Sequence, residues 1–185
     1  MGTPVSELIF KYGGGVADGK KLKAFAPSGP SSGYLPASMA DVHLDFKSLA
    51  DAGSMLGSGA LVVCSEDRCM LDMALNATEF FRNESCGKCV PCRVGSQKLV
   101  EMLSGWTEGQ GSSADLTLID ELSATLRQTS ICGLGQVVPA PIASVLKHFR
   151  EEVESHILHY ECPSEVCPCD RSARAASSSA SARRA

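Results

Sequence analysis

The run Glu84-Ser85-Cys86-Gly87-Lys88-Cys89-Val90-Pro91-Cys92-Arg93 sets three thiols at Cys-x-x-Cys-x-x-Cys spacing, and a fourth, Cys132, follows in Thr129-Ser130-Ile131-Cys132-Gly133. Three clustered cysteines and one distant cysteine form a recurring ligand set for a [4Fe–4S] cluster, whose four irons take four thiolates. The short spacing lets three sulfurs converge from one loop. The distant one requires the chain to fold back, so such a cluster would also staple the fold. Four thiolates equally satisfy tetrahedral Zn²⁺, although zinc sites more often use two Cys-x-x-Cys pairs. On spacing alone both metals remain open, and so do plain buried cysteines, with the three-plus-one arrangement favouring the cluster.

Nine cysteines occur in a chain whose N-terminus lacks a basic region followed by an apolar run. Without a secretory signal, such thiols favour metal binding over disulfides. The net charge is −4, and the stretch from Arg171 to Ala185 holds four arginines and no acid, so the remaining body carries −8. An acidic body argues against nucleic acid as the main partner. No stretch approaches the apolar length of a membrane span.

Residues 1–63 read as a small glycine-rich α+β unit. Ser6–Tyr12 is a short helical pattern ended by Gly13-Gly14-Gly15. Lys21–Ala26 alternates as a strand with Leu22, Ala24 and Ala26 on one side. Val42–Phe46 reads as a second strand, Ser48–Leu56 as a short helix, and Ala60–Val63 as a buried strand. Pro27–Gly33 is a turn-rich loop. Residues 64–160 read as helical. Ser65-Glu66-Asp67 signals a helix start, followed by Met70, Met73, Ala74, Ala77, Phe80 and Phe81 at helical spacing. A second helix carries Leu99, Met102, Leu103 and Trp106. A third starts at the capping-box-like Ser112-x-x-Asp115, and a fourth at Pro139 and Pro141 runs through Ile157. One apolar stripe per helix points to a four-helix bundle. The segment 161–185 contains Cys162, Cys167 and Cys169 and ends in a Ser/Ala/Arg tail that reads as disordered from Arg171.

Cys64 and Cys69 read as small core residues. Cys162, Cys167 and Cys169 lack an evident fourth ligand and read as a remnant or flexible tail. His148, His156 and His159 lie on or after the last helix, with no acid or nucleophile constellation around them. Lys88 and Arg93 flank the cysteine loop, either as solvated charge or as counter-charge to a bound cluster.

Glu84–Arg93, the stretch Asp51–Ser58 (DAGSMLGS) and Thr129-Ser130-Ile131-Cys132-Gly133-Leu134-Gly135 together resemble the FMN-bearing, NADH-oxidising subunit of respiratory complex I. They are equally similar to the flavoprotein subunits of NAD-dependent formate dehydrogenases and NAD-linked hydrogenases. The likeness runs from about residue 2 to about residue 160. It implies a β-grasp-like soluble ligand-binding domain over 1–63 and a [4Fe–4S]-binding helical bundle over 64–160, with ligands Cys86, Cys89, Cys92 and Cys132. It further implies that Gly133 and Leu134 face the flavin. FMN and NAD would be held by a flavin/NADH-binding partner domain, since Gly13-Gly14-Gly15 is not a dinucleotide-binding loop. The chain thus looks like the C-terminal half of such a subunit, and on its own it is expected to bind neither FMN nor NADH and not to oxidise NADH. Its implied role is electron transfer from reduced FMN towards other iron–sulfur subunits, in the cytoplasm and peripheral to the inner membrane when the complex docks there. A zinc-stabilised interaction module and an inactive gene fragment are the competing readings.

Overall fold

The computed structural model describes residues 1–169, so the expected disordered tail from Arg171 lies outside the described residues. The chain opens with a helical turn, α1 (Val5–Glu7), that widens into a π-helical turn over Leu8–Tyr12. Three strands follow: β1 (Leu22–Ala26), β2 (Leu35–Pro36) and β3 (Val62–Ser65). They form one antiparallel sheet in the order β2-β1-β3. Helix α2 (Phe46–Asp51) lies between β2 and β3. The remainder is helical: α3 (Met70–Asn83), α4 (Val90–Thr107), α5 (Ala114–Thr129), α6 (Gly133–Val137), α7 (Ala140–His148) and α8 (Arg150–Glu154), then a π-helical turn over Ser155–His159.

The central strand β1 divides the apolar core, because successive side chains leave opposite faces of a strand. Ala24 and Ala26 join Tyr34, Cys64 and the helices in one cluster, while Phe25 packs with Val5, Ile9, Leu35 and Leu49 in another. A bulge between Leu22 and Ala24 shifts the register against β3. Leu22 therefore packs on the N-terminal cluster instead of sharing the face of Ala24 and Ala26. An extra residue at a bulge re-aims the side chains beside it. One beneficiary is Lys23, whose Nζ meets Glu152 Oε2 of α8 at 3.0 Å.

Helix α3 is the axis of the helical half. Met70, Leu71, Ala74, Ala77, Thr78 and Phe81 are buried, and the helix packs chiefly on α4 and α7. Asp72 in its first turn and Arg82 in its last suit the helix dipole. Helices α4 and α5 meet where Gly95 leaves room for Leu126; a methyl on Gly95 would lie 2.9 Å from Leu126 Cδ2. Trp106 Nε1 donates to Asp115 Oδ2 at 3.1 Å, locking the α4–α5 turn. The loop before β2 is fastened to two helices: Tyr34 N–H donates to Ser144 Oγ of α7 at 2.8 Å, and Tyr34 O–H donates to the Met73 carbonyl of α3 at 3.1 Å.

Three further expectations need correction. Val42–Phe46 is not a strand. Its backbone pairs irregularly with residues 2–5, through Val5 N–H to Val42 O and Leu44 N–H to Thr3 O. Pro4 stands at the crossing opposite His43, and a proline cannot donate to extend a ladder. Ser65-Glu66-Asp67 does not start α3. Ser65 ends β3, Glu66 accepts from Lys21 N–H, and Asp67 pairs with Lys20 at 2.8 Å, so the helix begins at Met70 with Cys69 as its N-cap. The single last helix is broken at Phe149 (φ −132°, ψ 35°) into α7 and α8. After the break, Glu152 Oε1 reaches the N-terminus of α3 and accepts from Met70 N–H at 2.7 Å.

Candidate metal centre

Helix α3 ends at Asn83 and delivers the chain to the cysteine loop. Gly87, at φ +71°, makes the left-handed turn between Cys86 and Cys89, a conformation that costs a glycine little. Its carbonyl accepts from Arg93 Nη1 at 2.6 Å and its N–H donates to Ser85 Oγ at 3.2 Å. Ser85 Oγ in turn lies 3.3 Å from Cys92 Sγ. Arg93 is thus a brace for the loop. Helix α4 begins at Val90, so Cys89 is its N-cap and Cys92 is buried in its first turn. Free backbone N–H groups at this end favour negative charge.

The fourth cysteine arrives because α5 runs back along α4. Ser130 leaves the helix in extended conformation, and Cys132 caps α6. The Ile131 N–H bonds the Cys89 sulfur, and with a second bond from Cys92 N–H it holds that thiol below its ordinary value. Gly135 allows the final approach: a methyl there would lie 2.6 Å from Ser130 Cβ and 3.0 Å from Cys92 Cβ. The outcome is a cavity of about 250 Å³ lined by Cys86, Cys89, Cys92 and Cys132, with Glu84, Ser85, Lys88, Ile131 and Leu134 completing the wall. Cys92 is buried, Cys89 half-buried, and Cys86 and Cys132 exposed. An all-thiol donor set on one cavity fits the four-thiolate demand of a [4Fe–4S] cluster. Leu134 lines the cavity, whereas Gly133 is exposed, with open space around its Cα.

A second convergence lies at the other end of α3. Cys69, His156, Cys162 and Cys167 bring their ligand atoms within 4.8 Å of one another. Cys69 Sγ accepts from Cys167 Sγ at 3.5 Å and lies 3.4 Å from His156 Nε2. The Cys167 hydrogen bond is the largest of the causes that hold the Cys69 thiol well below its ordinary value. Cys169 stands apart, its Sγ donating to the Thr107 carbonyl at 3.4 Å. Sequence reasoning missed Cys69 and His156 as a site, although Cys69 is indeed fully buried. The available signal was the spacing His156-x5-Cys162-x4-Cys167, which supplies three donors within twelve residues.

Residues 72–156 match the family described as the NADH-ubiquinone oxidoreductase-F iron-sulfur binding region. Over 167 residues the chain is 45% identical to HndC, a subunit of the NADP-reducing hydrogenase of Solidesulfovibrio fructosivorans, covering 90% of this chain and 34% of that protein. It is 39% identical to the F 2 subunit of the NADH-quinone oxidoreductase of Rhizobium meliloti, covering 88% of this chain and 39% of the relative. Among solved structures, an NAD+-reducing [NiFe]-hydrogenase in the H2-reduced state superposes with a TM-score of 0.75 at 25% identity, covering 88% of this chain and 27% of the other. The chain therefore spans little more than a third of the length of these sequence relatives.

Proposed function

We propose, because residues 72–156 form a [4Fe–4S] binding region of the NADH-ubiquinone oxidoreductase-F type, that Cys86, Cys89, Cys92 and Cys132 are its ligands and that the chain relays electrons out of a flavoprotein. The observation that carries the ligand assignment is the convergence of these four thiols, and no other cysteine, on one cavity. When bound, the cluster supplies one-electron acceptance and release. The protein's part is to present the sulfurs. Backbone N–H groups of Ile131 and Cys92 stabilise the Cys89 thiolate, Ser85 Oγ sits beside Cys92, and Lys88 brings positive charge to the cavity wall.

In this reading the donor is FMN, reduced by a nicotinamide, on a flavin domain docked against Gly133 and Leu134, and the acceptor is another iron–sulfur subunit. Support comes from the apolar side chains at the rim: Ile131 is 70% exposed beside Cys132, and Val90 is 59% exposed beside Cys89. Exposed apolar groups clustered at a site mark an interaction face. The Pro27–Gly33 loop and the Gly57–Gly59 stretch are a further candidate seam, tied together by Gly57 N–H and Gly59 N–H donating to Ser28 Oγ. We read 1–63 as the β-grasp-like unit, 64–160 as the four-helix cluster bundle, and the location as cytoplasmic, peripheral to the membrane within a complex. Among the described residues no helix is long and apolar enough to cross a membrane.

Anaerobically purified protein is expected to be brown, with about four irons and four acid-labile sulfides per chain. Cys132→Ser should lose the colour and melt earlier, since metal binding couples to folding. Absence of acid-labile sulfide would overturn the assignment. For the relay, the chain is co-expressed with the flavin-domain half of a relative. NADH should bleach the cluster only when both halves are present. A stable, FMN-loaded complex whose cluster stays oxidised under excess NADH would reduce the cluster to a structural role.

A further inference from the structure

We propose that Cys69, His156, Cys162 and Cys167 form a second, separate metal centre that holds one structural Zn²⁺ and clips the C-terminal strap to the start of α3. Three thiols and one imidazole are an established structural zinc set. The spacing of the donor atoms fits a single ion. A tetrahedron with arms of about 2.3 Å has edges of about 3.8 Å, and two of the edges here measure 3.5 Å and 3.4 Å, with every pair within 4.8 Å. A four-iron cubane, with a metal core between its ligands, needs sulfurs spread further apart.

The imidazole is set for coordination. His156 Nδ1 lies 2.7 Å from the Glu152 carbonyl, which can only accept, so Nδ1 carries the proton and Nε2 is left to face the thiols. This backbone bond is the usual way a metal-ligating histidine is fixed in tautomer and orientation. His156 and Cys69 are fully buried, and Cys162 and Cys167 cover them. All four positions are filled by protein, so the ion has no open site for substrate, as a structural zinc requires.

The backbone is bent to bring the donors in. Tyr160 and Glu165 adopt left-handed φ of 57° and 54°, uncommon for residues with a side chain. The Glu165 N–H closes a turn onto the Cys162 carbonyl at 3.0 Å, and Ser164 Oγ donates to the Arg68 carbonyl at 3.2 Å, beside Cys69. The zinc thereby joins the N-cap of α3, the last helical turn and the strap. Glu152, one turn before His156, reaches the Met70 N–H and Lys23 of the sheet. The fourteen residues of α3 separate this centre from the Cys86–Cys92 loop, a distance of about 20 Å at 1.5 Å per residue. Zinc has no redox chemistry, so it fastens the fold without competing for electrons.

The test is metal analysis of the full chain purified anaerobically from cells supplied with iron and zinc. About one zinc per chain is expected beside the cluster iron. Cys162→Ser and Cys167→Ser lie on the strap outside the helical core. Each should lower zinc at least tenfold while iron, sulfide and the brown colour persist. Cys86→Ser should do the reverse, losing iron and keeping zinc. Replacement of zinc by Co²⁺ should give thiolate-to-cobalt absorption that Cys167→Ser abolishes. Zinc-free wild-type protein, a fifth iron in place of zinc, a Cys69–Cys167 disulfide, or zinc that disappears with Cys86→Ser would each overturn the proposal. The iron and sulfide counts report on the cluster assignment separately.

Discussion

A methyl group on Gly135 has nowhere to go, since Ser130 Cβ and Cys92 Cβ stand 2.6 Å and 3.0 Å from where it would sit. Gly135→Ala should therefore push α6 off α4, costing about 1–3 kcal/mol by overpacking. It should also lower the iron bound per chain, because Cys132 moves with α6. Thermal melts and iron analysis check both. Gly133→Ala, two residues earlier, meets open space and should leave melting and iron unchanged. Under the proposed docking it should instead slow cluster reduction by the flavin half. The cysteine loop was legible because its chemistry is local: three thiols in seven residues declare themselves. The Cys69–His156 pairing was not, because the two lie 87 positions apart and meet only through helix packing. The demand for glycine at 135 was hidden for the same reason, arising from how α6 docks and not from any turn.

Helix α2 begins where Asp45 accepts from Ser48 N–H at 2.7 Å and from Ser48 Oγ at 2.8 Å. These bonds, the backbone one first, hold the Asp45 carboxyl below its ordinary value. A carboxylate favoured in the folded state stabilises above its unfolded pKa, about 3.9, and that support fades as pH falls through the lower folded value. Asp45→Asn should thus melt earlier than the parent at pH 7, and the gap should narrow in acid; a gap constant with pH would deny the cap its charge. The same aspartate shows why Val42–Phe46 misled. The residues alternate as a strand should, but Asp45 diverts Phe46 into a helix and Pro4 leaves residues 42–44 without a regular ladder. Strand β1 was readable from its alternation, whereas its bulge was not, because a bulge depends on the partner strand. At residues 65–67 the composition of a helix start was present, but two lysines, Lys20 and Lys21, had a prior claim on the acids.

At the scale of the molecule, the sheet is a shared wall between two apolar clusters, and β3 spans residues 62–65 across the boundary expected at 63/64. The Lys23–Glu152 pair ties this wall to α8, with side chains only 20% and 10% exposed. Lys23→Met would leave Glu152 without its cation. The cost should be about 2 kcal/mol, between the values for exposed and buried pairs, and chemical denaturation measures it. The helical character of the second half followed from apolar periodicity. How the sheet rests on the helices did not, because it turns on single contacts such as Tyr34 with Met73 and Ser144.

The four cysteines proposed as cluster ligands are unequally sheltered, with Cys92 buried and Cys86 and Cys132 at the surface. Access of small oxidants to a metal site follows the shell around it, and thiolate oxidation follows exposure. Dioxygen thus has an open approach from the Cys86–Cys132 side and none through the α4 side. In air the protein alone should bleach quickly, and a flavin domain seated over Ile131 should lengthen the lifetime of the colour. The same uncovered edge proposed to admit an electron donor would leave the chain alone perishable, so the proposed assembly would double as protection from air.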